Sequence, residues 1–183
     1  MFNINRIIGI LKLDVHTFEE IEADKNATVE AAIIVTIVAL VGSIGAAISS
    51  GQFLITYVTS FIWAIVGWVI WSAITLLVGT KLFNGQADLG EMLRVLGYAQ
   101  IPNILRVLGF IPCIGPLITL VAAIWSLVAA FIAIRQGLDI DNTKALLTVF
   151  IGWVVWIVGS LLITAIFGGV ALGLGAITGS LGG

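Results

Sequence analysis

Four runs of the chain, Val29–Ser49, Phe53–Val78, Leu117–Ile134 and Ala145–Phe167, contain no lysine, arginine or aspartate, and Glu30 is their one glutamate. They are apolar around the whole helical circumference rather than along one stripe. Each is long enough to cross about 30 Å of hydrocarbon at ~1.5 Å per residue. A fifth run, Leu89–Phe110, has similar length but holds Glu91, Arg94, Gln100, Pro102, Asn103 and Arg106. Asn84-Gly85 before it, and Pro112, Gly115 and Pro116 after it, punctuate it as an element of its own. The pattern predicts an all-α, polytopic membrane protein with five transmembrane helices, the polar run being the third. The competing reading of that run is an amphipathic helix lying on the membrane surface.

Ahead of the spans the pattern changes to short amphipathic helices. Ile4, Ile7, Ile8 and Leu11 recur at helical spacing, with Arg6 and Lys12 off the stripe. Such a helix can lie in the headgroup layer with its cations near anionic phosphates, or pack on the ends of the spans. Thr17-Phe18-Glu19-Glu20 fits a capping box and predicts the start of a second short helix. Glu19, Glu20, Glu22 and Asp24 read as a solvated acidic face, without the alternating oxygen ligands of a calcium loop. The expected division is an N-terminal arm at 1–26, a transmembrane domain at 27–168 and a glycine-rich tail at 169–183.

Composition sharpens this picture. Hydrophobic residues make up 60% of the 183, and the mean hydropathy is +1.19, which excludes an ordinary soluble core. Eight basic residues then orient the spans. With the N-terminus in the cytoplasm and five spans, Arg6, Lys12, Lys25, Lys81, Arg94, Arg135 and Lys144 fall on the cytoplasmic side, and Arg106 is the exception. The expected location is the plasma membrane of a prokaryote, N-terminus inside and C-terminus outside. No cleavable signal peptide is expected, since Ile7–Leu13 is too short and lacks a small-residue cleavage site. The single Cys113 excludes an intrachain disulfide.

Candidate chemistry concentrates in the third run. At ~100° per residue, Glu91, Arg94, Tyr98, Pro102 and Arg106 share about one-third of the helix circumference, and Asn103 lies beside Arg106. Glu91 and Arg94 are spaced to pair across one turn. Pro102 frees the Tyr98 carbonyl from its helical bond. Such a stripe shuns lipid and faces the bundle interior, a cavity or another subunit. It reads either as a polar site for a lipid headgroup or small anion, or as a hydrogen-bonded kink with both arginines reaching for an interface. Small residues at Gly42 and Ala46, and at Ala122, Ser126 and Ala130, offer faces for helix packing or oligomer contact. Gly67-Trp68-Val69-Ile70-Trp71 is echoed by Gly152-Trp153-Val154-Val155-Trp156, which reads either as an inverted repeat or, with only five residues to carry it, as chance recurrence in a tryptophan-rich membrane chain, the reading preferred. His16, the single histidine, reads as a surface residue. No metal-ligand set, phosphate loop or nucleophile–base pair is evident, so no enzyme activity, no cofactor and no nucleic-acid partner are expected.

Three stretches carry a family resemblance. They are Ile10–Ile21 with its Thr17-Phe18-Glu19-Glu20-Ile21, the run Arg94-Val-Leu-Gly97-Tyr98-Ala99-Gln100-Ile101-Pro102, and Trp125–Arg135 followed by Asp141-Asn-Thr-Lys144-Ala145. In these the chain resembles the Yip family, membrane proteins that interact with Ypt/Rab GTPases, in its prokaryotic branch. The proline usual just before Thr17-Phe18-Glu19-Glu20-Ile21 is replaced around Asp14-Val15. The resemblance implies five spans and a cytoplasmic N-terminus. Eukaryotic relatives act in early secretory traffic through a much longer cytoplasmic region than this arm provides. The function expected is a non-enzymatic membrane-organising or partner-binding scaffold, with the bilayer, a second copy or another membrane protein as partner. The alternative is a small transporter or lipid-moving protein with a lipid ligand on the third run.

Overall fold

A computed structural model describes residues 3–180, with side chains as far as Leu162. The backbone of the tail expected at 169–183 continues the last helix as far as Ser180, and residues 181–183 lie outside the described residues. The arm forms α1 (Ile4–Leu11) and α2 (Val15–Ala23), followed by the long helices α3 (Ala27–Ser49) and α4 (Phe53–Phe83). Then come α5 (Leu89–Tyr98), a 3-10 segment (Ile101–Phe110), α6 (Gly115–Gly137) and α7 (Asn142–Ser180).

Among the described residues, four helices, not five, are long and apolar enough to cross a bilayer: α3, α4, α6 and α7 over Asn142–Leu162. Their outward faces carry large exposed apolar side chains such as Leu54, Leu117 and Phe150, as expected of surfaces made for lipid. The expected third span is corrected. Leu89–Phe110 breaks into α5 and the 3-10 segment, each of ten residues, joined through Ala99 and Gln100. Pro102 has no N–H to continue the α ladder and disfavours the α conformation at Ile101, so the chain rewinds as a tighter helix. The broken segment packs between α3 and α6 and follows α3 along its length. Gly97 lies against Ala31, Gly42 faces the Asn103 carbonyl, and Gly45 meets the carbonyls of Arg106 and Val107. Glycine at 45 is required by that approach, because a Cβ there would strike backbone oxygen.

The arm takes the second of its two expected placements. α1 and α2 fold onto one end of the bundle, with Ile10, Phe18 and Ile21 fully buried in the core. The stripe expected to face the membrane divides, with Ile4 (67%) and Ile8 (44%) exposed and Ile7 and Leu11 partly packed on the core. Arg6, off the stripe and expected near anionic phosphates in the surface-lying reading, is buried. Leu13 adopts φ 59°, a costly conformation for a branched side chain, and turns the chain sharply between the two helices. That turn starts α2 at Val15, so Thr17 is an interior, buried residue rather than a cap. Its hydroxyl donates to Asp14 Oδ2 at 2.7 Å, and the expected Thr17–Glu20 box does not form.

The Gly-Trp echo has a packing meaning after all. Where α4 and α7 meet, Gly67 faces the ring edge of Trp156, and Gly152 faces that of Trp71. Each glycine receives the tryptophan at the end of the other motif, and Trp156 also approaches Trp63 with ring centroids 6.1 Å apart.

Candidate functional site

Polar chemistry collects in two places. The first is a junction between the arm and the bundle, built around Arg6 and Arg94. The second is a cleft near the other end of α3, edged by Arg106.

At the junction, Arg6 on α1 spreads its three guanidinium nitrogens over three carboxylates. Nε donates to Glu20 Oε1 at 2.9 Å, Nη2 to Asp24 Oδ2 at 2.8 Å and Nη1 to Glu30 Oε2 at 3.4 Å. The same Glu30 oxygen accepts the Tyr98 hydroxyl at 2.5 Å, which joins the arm to α5 through α3. Five groups from four parts of the chain thus satisfy one another around a buried cation. The acidic face read as solvated is so only in part: Glu19 and Glu20 are exposed, yet its carboxylates also hold partners. Glu20 and Asp24 hold Arg6, and Glu19 accepts from Gln136 Nε2 of α6 at 2.6 Å. The hydrogen bond from Arg6 keeps the Asp24 carboxyl below its usual range.

Arg94 acts on helix ends. Its Nη2 and Nε donate to the Glu22 carbonyl at 2.6 and 3.2 Å, and Nη1 reaches Thr28 Oγ1 at 3.2 Å. The Glu22 carbonyl lies in the last turn of α2, where acceptors have no intrahelical donor and the dipole favours a cation. Arg94 therefore caps α2 from another element, itself only 4% exposed. Its expected pairing with Glu91 is marginal, at 4.0 Å. Glu91 serves α5 instead: its carboxylate accepts from the Asp88 N–H at 2.7 Å while Asp88 Oδ1 accepts from the Glu91 N–H at 2.8 Å. The two form a capping box. The Glu22 side chain, half-buried and facing Asp139 and Glu91, has its carboxyl pushed up to about 7 by burial and by those charges, against the pull of Arg94.

The cleft opens between α3, α4 and the 3-10 segment, with a volume of ≈ 220 Å³. Gly42 and Ala46 form part of its wall, and Ser43, Ser60, Gln100, Asn103 and Arg106 give it polar groups. Asn103 Nδ2 donates to Gln100 Oε1 at 2.7 Å. A smaller recess of ≈ 160 Å³ on the α6 side shares Gly42, Ala46 and Arg106.

The expected polar stripe is thus divided. Glu91, Arg94 and Tyr98 are committed to structure at the arm, Asn103 and Arg106 edge the cleft, and Pro102 is buried between them. On α6, Ala122 is buried with Ala129 and Ala133, while Ser126 and Ala130 are half-buried beside that face. Sequence reasoning missed Arg6, Glu20, Asp24 and Glu30 as a cluster. One signal was available: Glu30 is the sole acid inside an apolar run, and such a group needs a partner.

Comparison with known proteins adds one positive result. The family model of the Yip1 domain matches residues 8–166, a stretch containing both the junction's α2, α3 and α5 partners and the whole cleft. No curated protein and no solved structure matches the chain.

Proposed function

The chain belongs to the Yip1-domain family, as an integral membrane protein, and on that premise we propose that it is a non-enzymatic membrane-organising or partner-binding scaffold. The observation that carries this reading is the junction. A short arm is fixed to the bundle by Arg6, Glu20, Asp24, Glu30, Tyr98 and Arg94, so its buried arginine and the carboxylates around it are spent on holding a shape. Beside exposed polar groups such as Lys12, His16 and Lys25, the arm presents outward Ile4 and Ile8, two apolar side chains at the surface of a fixed platform. They suit a bilayer surface, a second copy or another membrane protein. The transporter reading loses support, because Glu91, Arg94 and Tyr98 do not line a shared path.

The arm lies in the cytoplasm of a prokaryotic cell in this reading, and the C-terminus outside. The charge asymmetry supports it, as does the broken segment following α3 from Ala31 to Gly45. Cys113, exposed in the turn ahead of α6, should react in intact cells with a membrane-impermeant maleimide. In a Cys113→Ser background, Gln86→Cys should react only after the membrane is opened. Labelling of Gln86→Cys from outside would overturn the orientation.

The scaffold itself is tested by placing a photo-reactive residue at Ile8 of the full chain in native membranes. A discrete adduct with a protein or a second copy, lost with Ile4→Asp, supports the reading. Lipid adducts alone, together with solute flux in reconstituted vesicles, would replace it with the transport reading.

A further inference from the structure

Arg106 is the one arginine of the broken segment without a structural task. Its side chain is exposed, and among the described residues it makes neither a hydrogen bond nor an ion pair. Its neighbour at depth is Gly45, four residues short of the last residue of α3, or ~6 Å inside the helix end at ~1.5 Å per residue. An unpartnered guanidinium at that level is costly unless it meets water or an anion. With the ~34 Å of α3 centred on ~30 Å of hydrocarbon, the backbone there lies ~4 Å below the headgroup layer, a gap the long arginine side chain spans by snorkelling to the lipid phosphates.

The surroundings select the sign and size of what can bind. No Asp or Glu lines either recess. Gln100 spends its carbonyl oxygen on Asn103, which leaves its amide nitrogen as a donor in the same cleft, two 3-10 turns from the arginine. The wall opposite is apolar or small, from Val35, Val38 and Trp63 to Ala46. At ≈ 220 Å³ the cleft is below the ~300–1,000 Å³ of pockets that enclose a whole small molecule. It fits a headgroup whose chains stay in the bilayer. Arginine adds the planar donor geometry that suits phosphate oxygens.

We infer that Arg106 and Gln100 form a phosphate-binding site, open laterally between α3 and α4, for the headgroup phosphate of an anionic lipid. Free phosphate offers the same chemistry, and the two sources separate in one experiment. The full chain is placed in nanodiscs of phosphatidylcholine with phosphatidylglycerol, and retained lipid is read by native mass spectrometry, with and without millimolar inorganic phosphate. Wild type should retain phosphatidylglycerol, and Arg106→Leu should lower its apparent affinity about tenfold, the scale of one charge-assisted contact. Arg106→Lys should recover part of it, and Ser60→Phe, which fills the opposite wall and leaves the arginine in place, should lose it. Retention unaffected by inorganic phosphate identifies the lipid as the source. Displacement of lipid by inorganic phosphate identifies a soluble anion as the better ligand of the same site. Equal phosphatidylglycerol retention by wild type, Arg106→Leu and Ser60→Phe, with no response to phosphate, overturns the site. Circular dichroism of each variant shows that the comparison is between folded proteins.

Discussion

The two ends of the broken segment use the same residue type in opposite ways. At the arm end, Arg94 is buried and every donor group is aimed at a carbonyl, a hydroxyl or a carboxylate. Twelve residues on, Arg106 is exposed and bonded to nothing among the described residues. Burial with full satisfaction marks a structural arginine, whose removal leaves orphaned acceptors. Exposure beside an acid-free cleft marks one whose removal the fold should hardly register. The difference lies in their neighbours, since spacing along the chain treats the two alike.

The comparison breaks most readily at Arg6. Arg6→Leu leaves Glu20, Asp24 and Glu30 facing one another, and a loss of about 3 kcal/mol in detergent unfolding is expected, near the low end for a broken buried pair because Glu20 and Asp24 are partly exposed. Arg94→Leu should follow closely, with the last turn of α2 exchanging its amides fastest. Unfolding midpoints for both that match wild type would mean the junction is ornamental. Next comes Gly45→Ala, whose new methyl meets the Arg106 and Val107 carbonyls, at ~1–3 kcal/mol for an overpacked contact. Glu91→Ala removes half of a capping box and should cost ~1 kcal/mol, less than either junction arginine.

A smaller effect concerns pH. The Glu22 carboxyl, ordinarily near 4.5, is held at about 7 in the folded arm. The unfolded arm therefore gives up this proton first. Stability from this group is greatest below pH 4.5, falls as pH rises to 7, and is level above. Asp14, Asp24 and Asp141 are shifted downward and act only in more acid solution. Glu22→Gln should flatten the decline in melting temperature between pH 4.5 and 7; an unchanged slope would assign it to other groups. The smallest effect sharpens the contrast most: Arg106→Leu should move stability by no more than about 0.5 kcal/mol in lipid-free detergent.

Much of the bundle was legible because its signal is local. An unbroken apolar run needs no partner to announce itself, and α3, α4, α6 and the described part of α7 follow their runs closely. The third run misled because length and turn signals framed it correctly while Pro102, inside it, decided its conformation. The kink was anticipated there, but the 3-10 rewinding was not. At the cleft end the sequence singled out Asn103 and Arg106, and at the junction Arg94 and Tyr98 without the partners they meet. Arg6, Glu30 and Tyr98 come from three distant parts of the chain, and no periodicity links them. The Gly-Trp echo teaches the same lesson, since it became meaningful only when two antiparallel helices brought the copies face to face.

The cap that Arg94 places on α2 also imposes an order on assembly. Its acceptor, the Glu22 carbonyl, is made 72 residues earlier. At ~5–20 residues per second of synthesis, that gap lasts about 4–14 s. Throughout it, two spans can leave the ribosome while the end of α2 has carbonyls and no clasp. Arg6 meets Glu20, Asp24 and Glu30 at once, so the arm first closes on itself and only later on the bundle. A newborn chain therefore passes through an interval in which Phe18 and Ile21 lack their full cover, and anything that engages the arm then competes with its own completion.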